Sequence, residues 1–188
     1  MKSIRVFFIS VKFIFHYSLY RLYPRKIVTQ DVEMWNQRIF QCKRCKLGFL
    51  LQYNKEFRSL FYYRYRDKKL WVRVLTLIAP KVANFVIIVD RLGKYPMFYH
   101  TFSTIINCKQ IGDNCVFRNN TTIGNKAENN DCRPIIGNNV NIGANVVIIG
   151  DITIGDDVII GAGSVVVKDI PNNCIIAGNP ARIIKYKM

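Results

Sequence analysis

The fold is decided by residues 136–171, which read IGNNVN IGANVV IIGDIT IGDDVI IGAGSV VVKDIP. An aliphatic residue leads every six-residue unit, at Ile136, Ile142, Ile148, Ile154, Ile160 and Val166. A fixed six-residue period is typical of a parallel β-helix, in which three units make one triangular coil of about 18 residues. An ordinary β-sandwich would not keep this register for so long. The lead aliphatic is expected to point into the prism, while Gly, Asn and Asp turn its corners.

The same register is found upstream at Ile105, Ile111, Phe117 and Ile123, and it breaks once. Ile123 and Ile136 are 13 positions apart, which is two units plus one residue, and segment 125–134 (NKAENNDCRP) is polar and rich in turn residues. This segment predicts a loop that projects from the coil. Irregular loops on a rigid scaffold often carry binding and catalysis, although a tolerated surface insertion is an alternative explanation.

Basic charge is concentrated in the N-terminal half of the chain. The 188 residues carry a formal net charge of +16; residues 1–90 contain 18 Lys and Arg against 5 Asp and Glu, and residues 91–188 contain 10 against 7. This imbalance favours nucleic acid, an anionic membrane surface or a phosphorylated substrate as partner. No recognisable nucleic-acid-binding module is present, so we predict no nucleic-acid partner and favour the membrane surface.

The pattern predicts a basic α-helical region over residues 1–97 and a β-helix domain over residues 98–188. Helices are expected at 33–40, 47–66 and 68–89. The apolar run at residues 6–20 includes Lys12 and His16 and is too short to span a bilayer. It also lacks a signal-peptide cleavage site, so it is expected to pack on the domain or to lie in a membrane interface.

The six cysteines follow no disulfide framework. Cys42 and Cys45 form one isolated CxxC, whereas a structural zinc site needs four ligands. Free thiols are therefore favoured over a metal site, and no metal is expected. Nothing demands an oxidising compartment, so the expected location is the cytoplasm, with a peripheral contact at the inner membrane.

Four motifs surround the break and the repeat: FYHTFSTIIN at 98–107, IGDNC at 111–115, TTIGNK at 121–126 and AGNPARII at 177–184. Over residues 98–185 the chain resembles the hexapeptide-repeat acyltransferases, and within them the serine acetyltransferase-like branch that often modifies surface polysaccharides. The resemblance implies a left-handed parallel β-helix, a homotrimer and acetyl-CoA as acyl donor. It also implies an active site in the groove between neighbouring prisms.

In that family a histidine at the position of His100 is the general base. A neutral imidazole can take the proton from an acceptor hydroxyl, which then attacks the thioester of acetyl-CoA. A lone histidine is more often structural, but this position favours the catalytic interpretation. Asp90 is a candidate for orienting the ring, since no repeat precedes His100 in the sequence to supply the partner usual in the family.

The resemblance also implies positions that contact the donor and the acceptor. Predicted CoA contacts are Ala144, Ala162 and Gly163 through their backbone, and Lys168 and Arg182 through the phosphates. Coil geometry alone also explains the small residues. Predicted acceptor contacts are Asn107 and, in the projecting loop, Arg133, which would meet a phosphate or carboxylate.

Departures from the serine enzymes argue against serine as acceptor. The serine enzymes carry Asp directly before the catalytic histidine, Glu eight residues after it and an Arg-His pair in the loop. This chain has Tyr99, Cys108 and the pair Cys132-Arg133 there. We therefore predict an O-acetyltransferase for a sugar hydroxyl in surface polysaccharide synthesis. Serine O-acetylation in cysteine biosynthesis and a non-catalytic β-helix scaffold are the alternatives.

Overall fold

The computed structural model describes residues 8–9, 11–41, 47–126 and 132–187. The chain divides into two compact units between residues 82 and 83, which we call the α unit and the β unit. The β unit begins before the predicted boundary at residue 98, because residues 85–92 form a strand that pairs with the strand at residues 104–111. The CxxC at 42–45 and the centre of the projecting loop lie outside the described residues.

Five helices lie among the described residues of the α unit: α1 Ile14–Leu22, α2 Lys26–Phe40, α3 Leu47–Tyr53, α4 Lys55–Arg64 and α5 Lys69–Ile78. The predicted helix over residues 68–89 is wrong beyond Ile78. Pro80 cannot continue a helix, and the β-branched run that follows it pairs as a strand. In the described part of the chain, no helix is both long enough and apolar enough to cross a bilayer.

The core of the α unit is aromatic and encloses His16. The His16 Nε2 lies 2.8 Å from the hydroxyl of Tyr62, which donates to the carbonyl of Ala79 at 2.7 Å. Because the Tyr62 hydroxyl proton is donated to Ala79, the bond between the two side chains is donated by His16 Nε2–H and accepted by the Tyr62 oxygen. Burial, followed by the charges of Arg58 and Lys12, lowers the pKa of His16 to about 4. His16 is thus a neutral structural residue at physiological pH.

Thirteen strands make up the described part of the β unit. All strand pairings are parallel except the one between the last two strands, which is antiparallel. The strands are β1 Phe85–Leu92, β2 Met97–Tyr99, β3 Thr104–Ile111, β4 Val116–Arg118, β5 Thr122–Gly124, β6 Ile135–Ile136, β7 Asn141–Ile142, β8 Val147–Ile149, β9 Thr153–Ile154, β10 Ile159–Ile160, β11 Val165–Val166, β12 Cys174–Gly178 and β13 Ala181–Tyr186.

These strands form the three faces of a parallel β-helix. Face one contains the N-terminal halves of β1 and β3, then β5, β8 and β11. Face two contains the C-terminal halves of β1 and β3, then β6, β9 and a bridge at Ile170. Face three contains β2, β4, β7, β10 and β12. The predicted fold class is confirmed.

Three corners join the faces, and we number them in chain order. The first corner joins faces one and two and includes the described residues 125–126, 132–134, 150–152 and 167–169. The second corner joins faces two and three. The third corner joins face three to face one of the next coil and includes residues 100–103, 119–121, 143–146 and 161–164.

The predicted inward register holds from Ile111 onward, where every lead residue is at most 2% exposed. It fails at Ile105, which is 46% exposed, while Ile106 is fully buried. The reason is that β3 runs through the first corner without a turn. Thr104, Ile106 and Cys108 therefore alternate inward as in one straight strand.

The second corner shows why the repeat needs Gly followed by Asn or Asp. A Cβ on Gly137 would lie 2.5 Å from Asp156 Oδ1, which accepts a hydrogen bond from the backbone N–H of Asn138 at 2.6 Å. The next residue in each unit has left-handed backbone, at φ of 55 to 59°. These residues are Tyr95, Asn114, Asn139, Asp157 and Asn173.

A coil upstream of His100 exists, contrary to the interpretation of the sequence. Val89 pairs with Cys108 and Phe98 pairs with Phe117, so β1 and β2 form a complete coil beneath the first repeat. Residues 85–92 pass the first corner as one straight strand. This coil therefore has no six-residue spacing for the sequence to reveal.

Candidate active site

His100 lies at the third corner, directly after β2. Its backbone is left-handed, with φ of 53°, and its carbonyl accepts a hydrogen bond from Phe102 N–H at 2.8 Å. The tight turn leaves the imidazole exposed. An exposed imidazole at a corner is accessible to a ligand, in contrast to the buried His16.

The third corner brings His100 into line with the small residues predicted to contact CoA. The stacking hydrogen bonds run from Asn120 N–H to Phe102 O (3.1 Å), from Asn145 N–H to Asn119 O (3.0 Å) and from Gly163 N–H to Ala144 O (2.9 Å). With a strand spacing of about 4.8 Å, Ala144 lies about 10 Å and Ala162 about 14 Å along the axis from His100. One edge of the prism thus carries His100, Ala144, Ala162 and Gly163.

Arg182 lies at the far end of the same edge. It pairs with Ala177 in the antiparallel β12–β13 ladder, and it is exposed. A Cβ on Gly161 would lie 2.9 Å from the Cβ of Ala177, so Ala177 stacks on the turn that contains Ala162. The edge therefore begins with an imidazole and ends with a guanidinium.

Coil packing explains some of the small residues on this edge. A Cβ on Gly143 would lie 2.6 Å from the backbone nitrogen of Ala162, so glycine is required there whatever binds outside. Gly163 differs, because nothing lies within 4 Å of its missing Cβ and only its φ of 72° favours glycine. Open space at Gly163 leaves room for a ligand against the backbone.

Lys168 lies at a different corner. It follows β11, whose strand pairs with β8 on face one, and the exposed side chain stands at the first corner. The structure therefore does not bring Lys168 and Arg182 together within one chain.

Arg133 and Asn107 meet at the first corner, where Asp90 joins them. Arg133 Nη2 lies 2.7 Å from Asp90 Oδ2 and Nη1 lies 3.3 Å from Oδ1, a bidentate pair. Nη1 is also 3.5 Å from the side-chain oxygen of Asn107. The Arg133 side chain is only 12% exposed and is held by Asp90. Asp90, the candidate for orienting His100, lies at a different corner from that histidine.

Three further side chains near the first corner, those of Asn107, Lys109 and Cys108, are paired or buried. Asn107 Nδ2 donates to Asn125 Oδ1 at 3.4 Å, and Lys109 binds Asp151 at 3.0 Å. Burial raises the pKa of the Cys108 thiol well above its ordinary value. A buried, protonated thiol carries no negative charge, so Cys108 cannot replace the carboxylate that the serine enzymes have at this position.

The two groups of predicted residues are separated within one chain. The N-terminal half of β3 carries the chain from the third corner to the first, and three to four strand residues span roughly 10–13 Å. His100 and the Asn107–Arg133 cluster therefore do not share one cleft in a single protomer.

Arg118 is a candidate site residue that the sequence did not reveal. It pairs in register with Tyr99, the neighbour of His100, and its Nη1 donates to Asn141 Oδ1 at 2.6 Å and to the carbonyl of Ile142 at 3.3 Å. Its backbone lies one coil from His100, and its guanidinium contacts the coil beyond. No motif marks it, because only the pairing of β2 with β4 brings it there.

Comparisons with known proteins agree with this architecture. The family model for bacterial transferase hexapeptide proteins (six repeats) matches residues 133–168. The putative colanic acid biosynthesis acetyltransferase WcaB of Escherichia coli K12 is 45% identical over 93 residues, which are 49% of this chain and 57% of WcaB. The serine acetyltransferase of Synechococcus elongatus is 38% identical over 50% of this chain and 39% of its own length. The chain thus spans only part of the length of these two curated relatives.

Solved structures match over a greater length. The Neisseria gonorrhoeae serine acetyltransferase in complex with serine has a TM-score of 0.67 and 30% identity, covering 85% of this chain and 68% of that one. The soybean enzyme complexed with serine has a TM-score of 0.70 and 27% identity, covering 89% and 72%. The predicted family is confirmed by the repeat, the coiled architecture and these relatives together: the chain belongs to the hexapeptide-repeat acyltransferases.

Proposed function

We propose that the protein is an acetyl-CoA-dependent O-acetyltransferase that acts on a sugar hydroxyl in surface polysaccharide synthesis. The observation that carries the proposal is the third corner. It places an exposed imidazole, a run of small residues and a terminal guanidinium along one edge of the prism. That arrangement suits a long thioester donor lying along the coils, with its acyl end at His100 and its phosphates near Arg182. The relatives named above as acetyltransferases support the same chemistry.

His100 acts as the general base in this proposal. It takes the proton of the acceptor hydroxyl as the oxygen attacks the thioester carbonyl. The tetrahedral intermediate then collapses, the C–S bond breaks, and the departing thiolate of CoA receives the proton from the imidazolium. Backbone N–H groups at the corner stabilise the oxyanion.

We propose a homotrimer in which the site lies between neighbouring prisms. The separation of His100 from the first corner in one chain supports this arrangement. A neighbour's first corner would supply the Asn107–Arg133 cluster that the protomer does not bring to its own His100. The site is then incomplete without a second copy.

The acceptor is proposed to be an uncharged part of a sugar. Arg133 stays a predicted acceptor contact, and its bidentate pair with Asp90 offsets its positive charge. A polar cluster of amides and a neutral ion pair suits hydroxyl groups. We place the reaction in the cytoplasm, on a nucleotide- or lipid-linked sugar at the inner membrane face.

Serine O-acetylation is the second candidate function. It is favoured by the match to two serine acetyltransferase structures over more than four-fifths of the chain. Tyr99 and Cys108 speak against it, because neither supplies a carboxylate to hold the amino group of serine. A non-catalytic scaffold would use the coil without its exposed imidazole.

The test is release of the CoA thiol from acetyl-CoA, with a panel of sugar nucleotides and L-serine in parallel. We expect sugar-dependent release that falls about 10²- to 10⁴-fold in His100→Asn, a change that keeps the shape of the ring edge. Lys94→Ala is the matched control, because Lys94 is exposed at the second corner, where none of the predicted site residues lies.

Release that requires serine would assign the second candidate. Equal activity in wild type and His100→Asn would remove His100 as the base. A folded protein that neither binds acetyl-CoA nor releases thiol would indicate the scaffold.

A further inference from the structure

The α unit exposes an apolar stripe along α1 and residues 11–13, which directly precede it. Residues Val11, Ile14, Phe15 and Leu22 are all more than half exposed, at spacings of three, four and seven that keep them on one side of a helix. The opposite side is buried through Phe13, His16 and Leu19. The outer stripe is therefore not needed for the core of the unit.

Helix α5 carries a second stripe of the same kind. Leu70, Val74 and Leu77 are spaced by four and three residues, and Leu70 and Leu77 are 75% and 86% exposed. Leu75, on the other side of the helix, is fully buried. Isolated exposed apolar residues are common on protein surfaces. Exposed apolar stripes on two helices form a larger patch, and such patches usually mark an interaction site.

The two stripes are continuous. An open groove lined by Phe15 of α1 and by Leu70, Trp71 and Val74 of α5 joins them. Because this apolar groove is lined by residues of both helices, the two stripes and the groove form one continuous surface. We call this surface the apolar platform. It comprises Val11, Ile14, Phe15, Leu22, Leu70, Trp71, Val74 and Leu77.

The charged residues of the two helices that form the apolar platform are all basic. Helices α1 and α5 contain no Asp or Glu. Lys69 and Arg73 are exposed on α5 beside Leu70 and Val74, and Arg21 is exposed beside Leu22. Residues 1–82 as a whole contain 18 Lys and Arg against 4 Asp and Glu. One of those acids, Asp31, is buried against Arg64, and another, Asp67, is bound by Arg25.

We propose that the apolar platform docks the protein on an anionic lipid bilayer. Apolar side chains with basic residues beside them are the arrangement by which a helix lies in the membrane interface, its apolar face among the acyl chains and its cations at the headgroups. Described helices too short to span a bilayer can still lie in its surface. The proposal goes beyond acetyl transfer and stands whether or not the proposed activity is correct.

Charge favours lipid over a second copy of the chain. Two platforms facing each other would bring two strongly basic units together, and like charges repel across such a contact. An anionic surface has the opposite sign and attracts each nearby Lys or Arg by about 1 kcal/mol.

The two tryptophans provide a direct test. Trp71 lines the groove, whereas Trp35 is fully buried in the core of the unit. Full-length protein is mixed with vesicles of phosphatidylcholine containing about 30 mol% phosphatidylglycerol, with or without brominated acyl chains. We expect a blue shift of the emission and quenching by bromine. Both should disappear in Trp71→Phe, because the remaining tryptophan cannot reach the lipid.

Cosedimentation with the same vesicles assigns the surface. The triple change Phe15→Ser, Leu70→Ser and Leu77→Ser should weaken binding at least about tenfold, since three exposed apolar groups are lost. Tyr53→Ser is the control, because Tyr53 is 53% exposed on α3, outside the platform. Circular dichroism checks that each variant is folded.

A charge variant keeps the test decisive if the triple variant does not fold. Lys69→Gln with Arg73→Gln should lower binding to anionic vesicles about tenfold and leave binding to pure phosphatidylcholine unchanged. Lys94→Gln with Lys126→Gln removes the same charge from exposed positions of the β unit and should have less effect.

Three results would overturn the proposal. The first is no binding of wild type to anionic vesicles at low salt. The second is equal binding by the platform variants and their controls. The third is a wild-type assembly that becomes smaller in the triple variant while vesicle binding is unchanged, which would assign the platform to a second copy of the chain.

Discussion

The third and first corners of the β-helix are made by the same repeat and have opposite character. At the third corner His100 and Ala162 are exposed, and the missing Cβ of Gly163 faces open space. At the first corner Arg133 is bound by Asp90, and Lys109 is bound by Asp151. The backbone periodicity is shared, so the difference lies in the side chains that follow each strand. A repeat determines the scaffold, and the residues at each corner determine which edge can hold a ligand.

The test of this contrast with the largest expected effect is to place a bulky side chain on the open edge at the third corner. Ala162→Leu adds a branched side chain where the donor is proposed to lie against the backbone. We expect the KM for acetyl-CoA to rise more than tenfold, with the free energy of unfolding changed by less than about 0.5 kcal/mol because the site is exposed. Steady-state kinetics and denaturant titration measure the two quantities.

Lys94→Leu is the control for added bulk, since it places the same side chain on an exposed position of the second corner. An unchanged KM in Ala162→Leu would mean that the third corner does not hold the donor. A large loss of stability would show instead that the added side chain disturbs the packing of the coil.

A smaller effect is expected from the charges at the two corners. Arg182 ends the third-corner edge, whereas Lys168 stands at the first corner. Arg182→Ala should raise the KM for acetyl-CoA about fivefold. An exposed charge pair contributes roughly 1 kcal/mol to binding, and a loss of that size weakens binding by about this factor. Lys168→Ala should have a smaller effect if the donor follows one edge.

A donor without phosphates separates a charge effect from a change in the coil. Acetyl-pantetheine keeps the thioester arm but lacks the nucleotide phosphates. The difference between wild type and Arg182→Ala should therefore vanish with this donor. An equal loss with both donors would mean that Arg182 supports the β12–β13 ladder and does not contact CoA.

The sequence predicted the part of the fold that is locally periodic. Every lead residue from Ile111 to Val166 is buried as expected, because a Gly-Asn or Gly-Asp turn resets the register in most units. The upstream coil was missed because β1 and β3 pass the first corner as straight strands. Ile105 was assigned to the interior for the same reason. Where no turn interrupts a strand, the six-residue period carries no information.

The site shows the same division between local and long-range information. The alignment of His100 with Ala144 and Ala162 follows from counting corners, since those positions recur with the period. The pairing of Arg133 with Asp90 joins residues 43 apart across an irregular loop, and no spacing rule predicts it. Arg118 was missed likewise, because its closeness to Tyr99 depends on the pairing of β2 with β4.

The pair at the first corner gives the last and smallest test. Asp90→Asn keeps the size of the side chain and removes the charge that neutralises Arg133. We expect the ratio of kcat/KM for an anionic acceptor to that for a neutral one to rise about three- to tenfold. Stability should fall by less than about 1 kcal/mol, because the Asp90 side chain is 60% exposed.

Asp151→Asn is the matched control, because it removes the same charge from the same corner but from the pair with Lys109. A change in acceptor preference confined to Asp90→Asn would mean that Arg133 faces the acceptor and that Asp90 sets its effective charge. Equal changes in both variants would reduce the effect to long-range charge, which added salt screens. No change in either would remove the first corner from the acceptor site and leave the third corner as the part of the coil that decides function.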